Sequence, residues 1–441
     1  MTRSTKCRAI RLSPLACGQA LLRRVPRKFF YVPIALGAFT TVVGVVGLAN
    51  AEEFEVPANR KASEILPAEL IQGPHYRVQD TVVSYGYMHH WMVDTDFGAF
   101  QATGDGALRK LIREIYAIAA LKKVSQSEAF TNSVAYAAKQ PFQFAGKMIT
   151  DPVDTISAVP SGVFQIFGNI YTGITEKHDP SEDSRLKQAL FVSSWKRDFA
   201  AEHGVDVYSS NKVLQEQLNK LGWASAIGGL SLSAAMAPLS GAGALVFKNT
   251  RLANQVSEAL KEEPPSRLRI INNDKLAAMG ISKDLAQRFL DHPIFTPRHD
   301  TIIVAALADL KGARGRDVFL QAILSAQDKA SADFFMNISQ TLQGYNETVS
   351  PIEDISLVGG LTIARAKNGR ALIPFPLDHG VWSERGSGVI RHMKQTYEAN
   401  GFRGKYDFWV TGTVTPRARR ELAALGIEVT ENVDERVGFL D

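Results

Sequence analysis

The sequence predicts an α+β protein: a mostly helical body with a small N-terminal β hairpin and a C-terminal α/β domain of order ββαβαβ. Three patterns lead there. Apolar residues alternate at period two over 85–93, and they recur at three- and four-residue spacings through much of 107–348. Beyond residue 350, strand-like and helix-like runs take turns.

The first 51 residues read as a segment apart. They hold eight Lys or Arg and no acid, then the uncharged run from Phe29 to Leu48, then Ala49-Asn50-Ala51. A basic start, an apolar core and an A-x-A site make a secretory signal peptide cut after Ala51, which sends the protein to the periplasm or outside the cell. The alternative is an inner-membrane anchor formed by 29–48, since 20 apolar residues suffice to span a bilayer. Arg23-Arg24 fits a twin-arginine signal poorly because Val25-Pro26-Arg27 follows. Leu15-Ala16-Cys17-Gly18 is no lipoprotein box, because it precedes the apolar core.

Cleavage reverses the charge balance. Of the formal +5, eight basic residues lie in the leader, so 42 basic against 45 acidic residues remain. A mature chain near −3 gives no electrostatic basis for binding nucleic acid. Cys7 and Cys17 are the only cysteines and both leave with the leader. The mature chain therefore has no disulfide, no thiolate nucleophile and no cysteine-bound zinc.

Within the mature chain, 52–74 reads as an extended lead-in with Pro57, Pro67 and Pro74. Residues 75–106 form a small β element: a strand through Tyr85, Tyr87, His89, Trp91 and Val93, a turn at Asp94-Thr95-Asp96, and a return over 97–102. A helical domain follows over 107–348. Its first helix sets Leu108, Leu111, Ile112, Ile115, Ile118 and Ala119 on one face and Arg109, Lys110, Arg113 and Glu114 on the other. Prolines at 141, 152 and 160 divide 127–175 into short helices, and Gly280, Pro293 and Gly312 divide 274–346. Residues 221–247 are uncharged, rich in Gly, Ala and Ser, and read as a buried helical hairpin. The alternative there is insertion into lipid, which insertion scales disfavour for so many small residues. In the last domain, 350–441, a hairpin turns at Asn368-Gly369. Helix 387–400, strand 406–411, helix 416–425 and strand 427–431 complete the domain.

Several clusters carry reactive side chains. In "HPIFTPRHD" (292–300), Thr296 suits an N-cap and Pro297 the first helical position, and the same tripeptide recurs at Thr415-Pro416-Arg417. His292 and His299 lie seven residues apart across a proline, which is no ligand spacing, so the stretch reads as a helix start. His89-His90 point to opposite strand faces. One of them, with Asp94 or Asp96, would need a third ligand from elsewhere to hold an ion. Asp378-His379 is the best general acid/base candidate, with Ser383, Glu384 and His392 near in sequence. Gly412-Thr413, with Arg417 and Arg419, could meet an anion at a helix start. No G-x-S-x-G, H-E-x-x-H, phosphate loop or dinucleotide fingerprint is present, so no cofactor and no metal are expected.

These readings point to an exported binding or scaffolding protein of the envelope, with a protein or small-molecule ligand and contact at a membrane surface. One alternative is a hydrolase using Asp378 and His379, with His392 or Ser383. The other is a membrane-inserting protein acting through 221–247.

Overall fold

Among the described residues, strands cluster within 60–103 and 352–430 with helices between the two groups, as an α+β class requires. The computed structural model describes residues 54–85, 87–139, 194–228, 230 and 250–440. The leader, most of the stretch expected to form short helices between residues 127 and 175, and most of 221–247 lie outside the described residues.

The N-terminal sheet is antiparallel and exceeds the expected hairpin. Its strands are β1 (Arg60–Lys61), β2 (Gln72–Gly73), β3 (Tyr76–Val78), β4 (Thr81–Tyr85), β5 (Met88–Thr95) and β6 (Gly98–Thr103). The order is β1-β4-β5-β3-β2, with β6 on the other side of β5. The lead-in is not merely extended: β1, β2 and two single-turn helices (Ala62–Ile65 and Ala68–Ile71) occupy it, burying Ala62 and Leu70. The hairpin turn falls two residues later than expected, because Thr95 pairs with Gly98 around Asp96-Phe97. Gly98 takes a φ of 113°, open only to glycine at low cost. Period-two alternation buries His89, Trp91 and Val93 on one face of β5.

Gly104 then ends the sheet and helix Asp105–Ser125 begins. Its apolar face is the expected one through Ile118. However, Arg113 and Glu114 are buried too. The reason is a polar segment folded over that side: Lys110 Nζ meets Asp206 Oδ2 at 2.5 Å and Asn211 Nδ2 donates to Glu114 Oε2 at 3.0 Å. Helix Glu128–Lys139, helical residues 194–202 and helix Lys212–Gly228 pack here through Leu121, Phe130, Phe199, Leu214 and Leu218.

Six helices follow: Arg251–Glu262, Pro265–Ala278, Lys283–Leu290, Pro297–Asp309, Arg316–Ile323 and Lys329–Thr348. In Pro297–Asp309 the spacing of Ile303, Ala306 and Leu307, with Leu310 beyond, predicts one apolar face. Every residue from His299 to Leu307 is buried, because helices 251–262, 265–278 and 329–348 surround it. Among the described residues no helix is long and apolar enough to cross a membrane.

In the C-terminal sheet β7 (Ile352–Val358), β8 (Leu361–Ala366) and β9 (Ala371–Phe375) are antiparallel, while β9, β11 (Tyr406–Val410) and β13 (Ile427–Thr430) are parallel. The strand order is β13-β11-β9-β8-β7. Helices Glu384–Ala399 and Pro416–Ala424 make the crossovers, and β10 (His379–Gly380) pairs with β12 (Thr413–Val414). β7 is one strand more than the expected ββαβαβ. It turns into β8 through Gly359 and Gly360, both at positive φ. Leu372 and Trp409 face the helical body, whereas Ala371, Ile373, Phe408 and Val410 join a second core on the opposite face. Covered on both sides, β11 is buried throughout.

Candidate functional site

The carboxyl ends of β9 and β11 are where a parallel sheet ordinarily presents its ligand-binding loops. Asp378 lies there, on the short path from β9 to β10, and its main chain is held from several sides. Its N–H and that of His379 both donate to the carbonyl of Tyr87, at 3.0 and 3.2 Å, and its own carbonyl accepts from Thr413 N at 3.0 Å. Gly412 makes the fit possible: a Cβ there would stand 2.0 Å from the Asp378 carbonyl oxygen. Tyr87 sits at φ 70°, a left-handed conformation costing on the order of 1–3 kcal/mol in a non-glycine residue. Its hydroxyl is fixed 2.8 Å from Ser383 Oγ.

The Asp378 side chain reaches across to the N-terminal sheet. Oδ2 accepts the peptide N–H of His89 at 2.7 Å, and Oδ1 accepts that of Asp105 at 3.1 Å. The second bond has a local cause. Asp105 opens a helix whose N-cap, Gly104, has no side chain to satisfy the first amides, and Asp378 supplies the acceptor from 273 residues away. His89 Nδ1 lies 2.8 Å from Asp105 Oδ1, which also accepts from Trp91 Nε1 at 3.0 Å. The remaining His89 nitrogen, Nε2, is buried without a hydrogen-bond partner. His379 stacks near His89, with ring centroids 6.5 Å apart and planes 15° from parallel, and its Nδ1 lies 3.1 Å from Thr413 Oγ1.

Burial dominates the electrostatics. It pushes the Asp378 carboxyl up to about 7, with help from the Asp105 charge and against the two peptide N–H groups and His89. Burial, and then the charges of Arg60 and His89, holds the His379 imidazole below its ordinary value, while Glu55 and Glu431 oppose the shift. Both shifts favour the neutral forms, a protonated carboxyl and an unprotonated imidazole on successive residues. His89, Asp105 and Asp378 also offer an imidazole nitrogen and two carboxylate oxygens within 4.8 Å of one another, a set that could hold a metal ion.

The structure therefore joins Asp378 and His379 to His89 and Asp105 and leaves the other proposed partners elsewhere. Ser383 Oγ accepts from Gly386 N at 3.1 Å as the cap of helix Glu384–Ala399, besides meeting Tyr87. His392 is exposed on that helix, beside Gly359 at the β7–β8 turn. His90 faces Thr103, Asp94 takes Gln79, and Asp96 takes His75, so neither aspartate reaches His89. At the other cluster, Thr296 caps helix Pro297–Asp309 and His299 Nε2 lies 2.9 Å from Asp333 Oδ1, while His292 Nε2 bonds the Leu324 carbonyl. Thr415 caps Pro416–Ala424 in the same way. The suggested anion position there already holds a carboxylate, since Glu431 accepts from Val414 N and pairs with Arg419.

Asp105 was missed from the sequence, yet its place was countable. With the turn at Asp96-Phe97, β5 and β6 pair His90 with Thr103, which sets Gly104 opposite His89 and Asp105 one step further. No family model, curated protein or solved structure matches the chain.

Proposed function

We propose that the chain is a binding or scaffolding protein of the cell envelope, exported by its leader and processed after Ala51. One observation carries the reading: the reactive groups of the cluster are engaged in joining parts of the fold. Asp378 fastens the C-terminal sheet to β5 and to helix Asp105–Ser125, and Ser383 serves as a helix cap. Supporting the processing site, the chain is already tied down at Glu55. Its N–H donates to the Trp382 carbonyl, and its carboxylate accepts from Trp382 N and Thr415 Oγ1, both at 2.7 Å.

A hydrolase reading has one observation in its favour, a carboxyl pushed to about 7 beside a half-buried imidazole. A single assay separates the two. Activated ester hydrolysis by the full chain is compared with Asp378→Asn and His379→Ala. The scaffolding reading expects the same background rate for all three. A rate above background that His379→Ala abolishes while the protein stays folded overturns it in favour of the enzyme.

A further inference from the structure

We propose that His89, Asp105 and Asp378 bind one divalent metal ion of the zinc type, with His89 Nδ1 and one oxygen from each aspartate as ligands. The inference rests on the scaffolding reading, because the ion would complete the brace between the N-terminal sheet and the C-terminal domain.

Geometry comes first. Three donors from three separate elements converge: β5, the first turn of helix Asp105–Ser125, and the loop after β9. Ligands about 2.0–2.2 Å from a tetrahedral zinc ion stand roughly 3.3–3.6 Å apart. His89 Nδ1 is 2.8 Å from Asp105 Oδ1 and 3.9 Å from Asp378 Oδ2, so the observed separations bracket that value. All three donor atoms lie within 4.8 Å of one another.

The surroundings are those of a ligand set held from behind. Peptide N–H groups of His89 and Asp105 orient the Asp378 carboxylate, and Trp91 Nε1 orients that of Asp105. Such donors fix the direction of a ligand's lone pairs, and each carboxylate oxygen keeps a lone pair for the ion. His89 is 1% exposed, and its Nδ1, the proposed ligand, lies within 4 Å of both carboxylates. Asp105 keeps 24% of its side chain exposed, which gives an ion a way in and leaves room for a water ligand. Charge agrees: an imidazole and two carboxylates present up to two negative charges in a mostly buried place, and a dication neutralises them. One nitrogen and two oxygens, without sulfur, suit zinc or manganese over copper(I).

The test uses the full chain, stripped with EDTA and dialysed, and titrated with Zn²⁺ in a calorimeter. One equivalent should bind with a micromolar or tighter Kd. His89→Ala and Asp105→Asn should each weaken it at least tenfold, while His90→Ala, on the opposite strand face, should leave it unchanged. No stoichiometric binding by the wild type, or binding that survives both substitutions in folded protein, overturns the proposal. Should His89→Ala fail to fold, side-chain NMR of ¹⁵N-histidine-labelled wild type decides. Zn²⁺ should move the His89 resonances at one equivalent, and their constancy would overturn the assignment. Ester turnover is read separately, so loss of the scaffolding reading and loss of the metal site are distinguishable.

Discussion

Replacing Asp378 by alanine removes the acceptor of two peptide N–H groups, those of His89 and Asp105, at 2.7 and 3.1 Å. The size of the effect follows from where those donors sit. His89 is buried, and Asp105 N–H is one of the first amides of a helix whose cap is a glycine, so neither finds a ready substitute. An orphaned donor in such a place costs about 1–2 kcal/mol, giving a loss of about 2–4 kcal/mol for the pair. A charge effect opposes this, because the Asp378 carboxylate repels that of Asp105 when both are ionised. At pH 6, below the value of about 7 to which burial raises Asp378, that opposition is small. Urea unfolding at pH 6 with EDTA, followed by tryptophan fluorescence and by circular dichroism, measures the loss as a lowered midpoint at constant slope. Trp91 is buried beside Asp105 and reports on the junction itself. Asp378→Asn retains one acceptor oxygen and should lose about half as much. A loss under about 0.5 kcal/mol for Asp378→Ala, the level of an ordinary surface substitution, would refute the reasoning.

Gly412→Ala should destabilise by about 1–3 kcal/mol, since its Cβ would stand 2.0 Å from a backbone oxygen that cannot swing aside. Because the atom displaced belongs to Asp378, the double variant with Asp378→Ala should lose less than the two single losses added together, as thermal melts of the three proteins would show. Thr296→Ala should cost on the order of 1 kcal/mol through loss of the helix cap, and Thr415→Ala a similar amount, read from the same melts. Burial would raise the Asp333 carboxyl, but the His299 hydrogen bond and the Lys329 charge outweigh it and hold the group at about 2. A carboxyl lowered on folding stabilises above its unfolded value near 4 and loses that contribution as pH falls through the folded value. Stability should therefore drop by on the order of 2 kcal/mol between about pH 4 and pH 2. An unchanged drop in His299→Asn would contradict this assignment.

Local chemistry made some of this legible in the sequence. Asn368-Gly369 turns β8 into β9, and each Thr-Pro pair opens a helix, because turn and cap preferences act over three or four residues. Alternation placed His89 on the buried face of β5 for the same reason. Where reading failed, a distant segment had changed what a residue faces. Arg113 and Glu114 looked solvent-facing until the Asp206 to Asn211 segment covered them. Helix Pro297–Asp309 looked one-sided but lies among three others. β7 escaped notice because Glu353 and Asp354 interrupt its apolar pattern, while its pairing with β8 depends on two glycines that follow it. Asp378 and His379 were visible as a dipeptide. That Asp378 would meet β5 and a helix start some 280 residues earlier is a tertiary fact with no local signature.

The brace itself is open to direct measurement by native-state hydrogen exchange at the amides of His89 and Asp105. If Asp378 holds both, they should exchange only at the rate of global unfolding in the wild type, and markedly faster in Asp378→Ala under conditions where that variant is folded. Exchange of either amide near the solvent rate in the wild type would contradict the account.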